Sequence, residues 1–281
     1  MRQNEVVISV ERRRSLIFPR EHGAWGILLV PLITGAAAGL HAGGHTESLA
    51  PLFIAVLALF WLRTPLESWM GSAPVKARSA EEIHQVRSAC LVLATVSAAA
   101  LLWLFWGARN PNLLWIGAIA GTALAGQAII RQAWRKQRTV AQIIGAAGLT
   151  SVAAAACYAT TNRLDRLAFS LWALNFLFAS NQIQFVQLRI RAAHAKTPAE
   201  RLAGGRAFLW SQMLTAAVLI AGSATRLIDW LLAAAFAPIL WRGFAWYLSP
   251  FEPLVVRTLG KRELGYAIAF GILLILATRL A

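Results

Sequence analysis

Acidic residues are scarce in this chain, which carries 12 Asp and Glu against 27 Lys and Arg in 281 residues. No two carboxylates stand at DxxD or DxxxD spacing, so no dedicated carboxylate cage for a divalent cation is encoded. Cysteine is nearly absent too. Cys90 and Cys157 both lie in apolar runs without CxxC spacing or histidine company, and they define neither a motif nor a redox compartment. No HExxH, GxSxG or Walker sequence occurs. Charged residues of any sign make up 14% of the chain and hydrophobic ones 58%, a balance that would leave a soluble globule with far too much apolar surface in water. The bilayer is the solvent this composition fits. In that setting the net charge of +15 reads as cationic loops at lipid headgroups, so membrane lipids are the expected partners and nucleic acid is not.

About 20 apolar residues cross a bilayer, and the chain divides into nine segments of roughly that size. They are Ala24–Leu40, Leu49–Leu62, Ser88–Trp106, Leu113–Ile130, Ala141–Ala159, Ala168–Val186, Ala207–Ala221, Leu227–Trp241 and Leu264–Leu280. The expected fold is therefore all-α, a polytopic transmembrane helical bundle of about nine helices. Arg12, Arg13 and Arg14 precede the first apolar run as in a secretion signal, but Pro31 within the run and a distinctive motif at its start favour a retained helix. On this layout every Lys and Arg falls on one side except Arg109, Arg163, Arg166, Arg226 and Arg279. The excess places the N-terminus in the cytoplasm of a bacterial inner membrane and the C-terminus outside. Two parts are expected: a basic cytoplasmic segment, 1–18, and a single transmembrane helical domain, 19–281. Trp61, Trp69, Trp106, Trp115, Trp241 and Trp246 fall near span ends and read as an interfacial belt.

Polar groups at membrane depth are costly unless paired or facing a wet cavity, so they mark the first places to look for function. Three clusters qualify, all on the expected cytoplasmic side. The first is Phe18-Pro-Arg-Glu-His-Gly-Ala-Trp25, where His22 is the candidate proton-exchanging group and Glu21 is placed to orient it or hold a cation. A plain helix entry, with a basic anchor and a capping carboxylate, would look the same. The second is Arg63-Thr-Pro-Leu-Glu67. Pro65 is expected to break or kink the second helix there, with Arg63 as an anion ligand assisted by Glu67, or the two as a surface ion pair. The third begins at Asn175 and runs through Asn181-Gln-Ile-Gln-Phe-Val-Gln-Leu-Arg-Ile-Arg191. At about 100° per residue, Asn181, Gln184, Gln187 and Arg191 share one helical face, which lipid cannot satisfy and which should face the bundle interior or a polar cavity. An interhelical hydrogen-bond ladder is the structural alternative.

The segment Pro19-Arg-Glu-His-Gly-Ala-Trp-Gly-Ile-Leu-Leu-Val-Pro31 resembles the opening of the bacterial YwiC-like family, and Asn181 to Arg191 and Gly260-Lys-Arg-Glu-Leu-Gly265 fit the same pattern. That family carries no assigned activity. At greater distance, the layout is similar to the UbiA-type intramembrane prenyltransferase architecture, in which aspartate-rich motifs after the second and sixth helices hold magnesium and a polyprenyl diphosphate. The resemblance places Asn181 at the leading Asn of the second motif, with Gln184, Gln187 and Arg191 where Asp is expected. The replaced ligands weigh against magnesium, and the sequence identifies no other cofactor. The expectation is a cytoplasm-facing cavity for an isoprenoid, quinone or lipid-phosphate ligand, with Arg63, Arg189 and Arg191 supplying the anion-binding charge. A divergent prenyltransferase is one form of it. The alternative is a membrane carrier or accessory protein without chemistry of its own.

Overall fold

The computed structural model describes residues 12–19, 22–71 (of His22 the backbone alone), 73, 75–108, 110–134, 137–193, 195–250 and 254–280. Every regular element among them is helical. The helices are α1 (12–17), α2 (His22–His41), α3 (Leu49–Trp69), α4 (Ala80–Leu102), α5 (Leu113–Ala133), α6 (Arg138–Thr150), α7 (Val152–Thr161), α8 (Arg166–Arg191), α9 (Pro198–Ala224), α10 (Trp230–Ala234), α11 (Ala237–Leu248) and α12 (Val256–Leu280). A π-helical turn, Trp103–Gly107, extends α4. Among the described residues, eight helical segments are long and apolar enough to cross a membrane. They match the expected spans except the sixth. That span is the 26-residue helix α8, about 39 Å at 1.5 Å per residue and so long enough. Asn175, Asn181, Gln182, Gln184 and Gln187 make its composition too polar to count with the others. The chain is a multi-pass, all-α membrane protein.

Several spans begin or end elsewhere than hydropathy placed them, for local reasons. α3 continues through Pro65 to Trp69 instead of breaking; proline removes one backbone donor, and the last turn still closes with Met70 N–H donating to Leu66 O at 2.9 Å. α9 starts at Pro198, nine positions before the expected Ala207, because Thr197 caps it by accepting from Glu200 N–H at 3.2 Å and proline suits the first turn. The eighth span is two helices, α10 and α11, joined at Ala235–Phe236. Arg201 and Arg242, counted above as loop cations, are consequently helical and buried, at 6% and 7% exposure.

The helices form two compact units. The first holds α1, α3, α4 and the π turn. There α3 packs along α4, while Trp61 Nε1–H and Ser68 O–H donate to the Ile17 and Leu16 carbonyls (2.8 and 3.1 Å) and close the end of α1. Arg12 and Arg13 pair with Glu82 and Glu81. The second unit comprises residues 23–45 and 112–281. Its centre is the alanine-rich α7, in which Ala153 through Thr160 are all buried. Small residues let backbones approach closely: at Gly35 of α2, a Cβ would overlap the backbone carbonyl of Ala153. Phe270 of α12 stacks on Phe178 of α8 at 4.1 Å and meets Phe236 at 5.1 Å.

Candidate functional site

The buried face of α8 is set by its apolar heptads. Leu171, Leu174, Phe178, Asn181, Phe185 and Leu188 recur at alternating intervals of three and four, and all are buried. Asn181 thus occupies a core position with 1% exposure, where an amide must find partners. It finds two. Its Nδ2–H donates to Gln212 Oε1 of α9 at 2.7 Å, and its Oδ1 accepts from Arg242 Nη2–H of α11 at 3.0 Å. Arg242 completes the chain through an ion pair with Glu263 of α12, both side chains buried. Gln182 adds a tie from Nε2–H to the Glu263 backbone carbonyl at 2.7 Å. Four helices of one unit each give at least one polar side chain to this network.

The packing around it is tight. Arg242 stacks on Phe185, 4.0 Å from the ring centre, and lies 5.0 Å from that of Tyr266. At Gly243 a Cβ would coincide with the Gln212 amide, so only glycine lets that side chain lie against α11. Phe185, Leu188, Phe208, Trp246 and Leu259 form the apolar cluster beneath. Trp246 is 7% exposed, a core ring and not an interfacial one, whereas Trp69, Trp106, Trp115 and Trp241 are exposed as the belt requires. Arg201 of α9 stacks on Trp246 at 5.0 Å and donates to the carbonyls of Trp246, Ser249 and Pro250, closing the end of α11.

Beside the network lies a cavity of about 390 Å³. Among the described residues its cationic lining is Arg189, Arg242 and Arg262, Glu263 is the single carboxylate, and Phe185, Trp241, Trp246 and Tyr266 supply rings. It sits where α8 and α11 end and α12 begins. Arg242 Nε is one of three buried side-chain polar atoms without a hydrogen-bond partner among the described residues. Among those residues no three His, Cys, Asp or Glu side chains come together as metal ligands would.

The candidates from sequence are distributed as follows. Glu21 lies outside the described residues, and His22 opens α2. Arg63 and Glu67, in the first unit, pair with each other at 2.9 Å on one helix. In the second unit, Asn181 joins the network and Arg189 lines the cavity. The shared face expected of Asn181, Gln184, Gln187 and Arg191 is not the buried one. Gln184 and Gln187 are half-buried and Arg191 is exposed; Gln187 donates to Gln142 at 3.0 Å, and Arg191 Nε–H to the Gln187 carbonyl at 3.3 Å. The apolar heptad turns α8 so that Gln182, not Gln184, points inward beside Asn181. Gln182, Gln212, Arg242 and Glu263 were not among the sequence candidates. A signal for one was present: Arg242 is the single charge in the apolar run Ile239-Leu-Trp-Arg-Gly-Phe-Ala-Trp246, which calls for a buried partner.

These observations define a class: a multi-pass helical membrane protein with a charged network and a cationic, aromatic-lined cavity inside one unit. A family model described as YwiC-like protein matches residues 18–158, about half of the chain, and the chain belongs to that family. The network and cavity, from Asn181 to Tyr266, lie outside the matched stretch. No curated protein matches the chain, and neither does any solved structure.

Proposed function

We propose that this protein binds the anionic headgroup of a phosphate-bearing amphiphile, an isoprenoid or other lipid phosphate, in the cavity among α8, α11 and α12. The observation that carries the reading is the lining: among the described residues, three arginines against one glutamate, with four aromatic rings, within one unit. Guanidinium groups match phosphate oxygens in pairs, and rings beside them suit the first carbons of an acyl or prenyl chain. At about 390 Å³ the space is in the range of small-ligand pockets, roughly 300–1,000 Å³. The cationic bias of the loops supports a bacterial inner-membrane location with the N-terminus inside and the cavity at the cytoplasmic end. In this reading Arg189, Arg242 and Arg262 hold the anion. Asn181, braced by Gln212, positions Arg242.

The test uses the purified chain in lipid nanodiscs. A polyprenyl monophosphate should bind about tenfold or more tighter than the matching neutral polyprenol, a difference near 1.4 kcal/mol, and the difference should collapse in Arg262→Gln. Equal binding of the phosphate and the alcohol overturns the reading.

A further inference from the structure

The arrangement of Arg242 raises a question of selectivity. A cationic cavity at membrane depth is surrounded by phosphodiester lipids in great excess, and those also carry phosphate. The cavity's one carboxylate among the described residues is Glu263. Its carboxylate already occupies Arg242 Nη1, Asn181 Oδ1 occupies Nη2, and Nε is buried without a hydrogen-bond partner among the described residues. With Nε buried, an anion in the cavity grips Arg242 in two points through its Nη groups, and there it competes with a bound carboxylate at Nη1.

We propose that Glu263 is a charge filter: it keeps singly charged phosphodiester headgroups off Arg242 and yields only to a phosphomonoester. This rests on the anionic-headgroup reading above. A phosphodiester brings one negative charge, no more than the carboxylate it would displace, and it must also be desolvated. A phosphomonoester brings about −1.5 to −2 near neutral pH and an extra charged oxygen, so the exchange favours it. The structure supplies what the exchange needs. The backbone of Glu263 is tied separately, through its carbonyl to Gln182, so the side chain can leave without loosening α12. Arg189 lies in electrostatic reach of Glu263 and lines the same cavity, so the displaced carboxylate stays near a cation that it shares with the bound anion. Asn181, braced by Gln212, keeps hold of Nη2 while the partner at Nη1 changes.

The experiment compares a phosphatidic acid or polyprenyl monophosphate with phosphatidylglycerol, in nanodiscs of zwitterionic lipid, on the wild-type chain and on Glu263→Gln. Inorganic phosphate is a third probe, to separate a lipid headgroup from free phosphate. The wild type should prefer the monoester about tenfold or more. In Glu263→Gln, which keeps an acceptor for Arg242 but removes the charge, phosphatidylglycerol should gain most of that factor and the preference should fall to about twofold. If the wild type prefers the monoester and the variant retains the same ratio, the filter is overturned while the anionic-headgroup reading stands. If the wild type does not distinguish phosphate-bearing from neutral amphiphiles, both fall. Inorganic phosphate matching the lipid monoester in affinity overturns the lipid assignment. Should Glu263→Gln fail to fold, infrared difference spectra of the unaltered chain with ¹³C-carboxyl glutamate decide. The monoester should shift a glutamate carboxylate band and phosphatidylglycerol should not; equal spectra for the two lipids reject the filter.

Discussion

Arg63–Glu67 in the first unit and Arg242–Glu263 in the second are both arginine–glutamate pairs, yet they stand at opposite ends of what such a pair can do. The first joins residues four apart on one helix, with side chains 27% and 25% exposed. The second joins two helices, with side chains 6% and 7% exposed, and Arg242 is also bound by an amide from a third helix. An exposed pair contributes little because water or headgroups replace either partner. A buried pair is held in place mainly by the cost of separating it: a lone charge left inside has nothing to turn to. The largest predicted effect follows. Glu263→Ala should destabilise the protein by about 3–5 kcal/mol, measured by unfolding in mixed micelles, because Arg242 remains buried and charged. Replacing both residues, as in Arg242→Met with Glu263→Leu, should recover most of that loss while abolishing binding of the phosphate amphiphile. A double variant as unstable as the single would show that the network, not the charge balance, carries the cost.

How far the sequence foretold this contrast depends on the signal each pair leaves in it. The multi-pass helical class follows from composition and run length, which act along the chain and need no tertiary knowledge. Arg63–Glu67 was equally legible, since spacing of four on a helix brings side chains together. Arg242 and Glu263 are 21 positions apart, and nothing periodic links them. On α8 the polar stripe was read from the amides alone, whereas the apolar heptad that fixes the helix's rotation selects Asn181 and Gln182. Hydropathy places Arg201 in a loop because the apolar run begins after it; the Thr197-Pro198 cap that makes it helical is a local signal, but its carbonyl partners around Trp246 are distant in sequence.

Two intermediate cases test whether burial and shared partners set the scale. Arg201→Ala should cost about 1.5–3 kcal/mol, since a charged donor to several carbonyls is lost. Amide exchange should speed up at the end of α11, around Trp246 to Leu248, and not in α3 or α4. Gly243→Ala should cost somewhat less, about 1–2 kcal/mol, by pushing the Gln212 amide off Asn181. It should weaken phosphate-amphiphile binding as well, because Asn181 then holds Arg242 less firmly. Gly243→Ala with full stability and full binding would mean that the brace through Gln212 is not needed.

The smallest effect belongs to the pair with which the comparison began. Arg63→Gln should change stability by about 0–1 kcal/mol, and that small contribution should depend on salt. At about 0.1 M ionic strength the screening length is near 10 Å, and at 1 M near 3 Å. A half-buried pair at 2.9 Å on one helix loses much of its net value over that range, so the difference between wild type and Arg63→Gln should shrink. The cost of Glu263→Ala should depend less on salt, because both side chains of that pair are buried, at 6% and 7% exposure, and buried pairs are screened much less. A salt-insensitive loss of several kcal/mol at Arg63 would place it with Arg242 instead, as a buried charge with a partner in addition to Glu67 on its own helix.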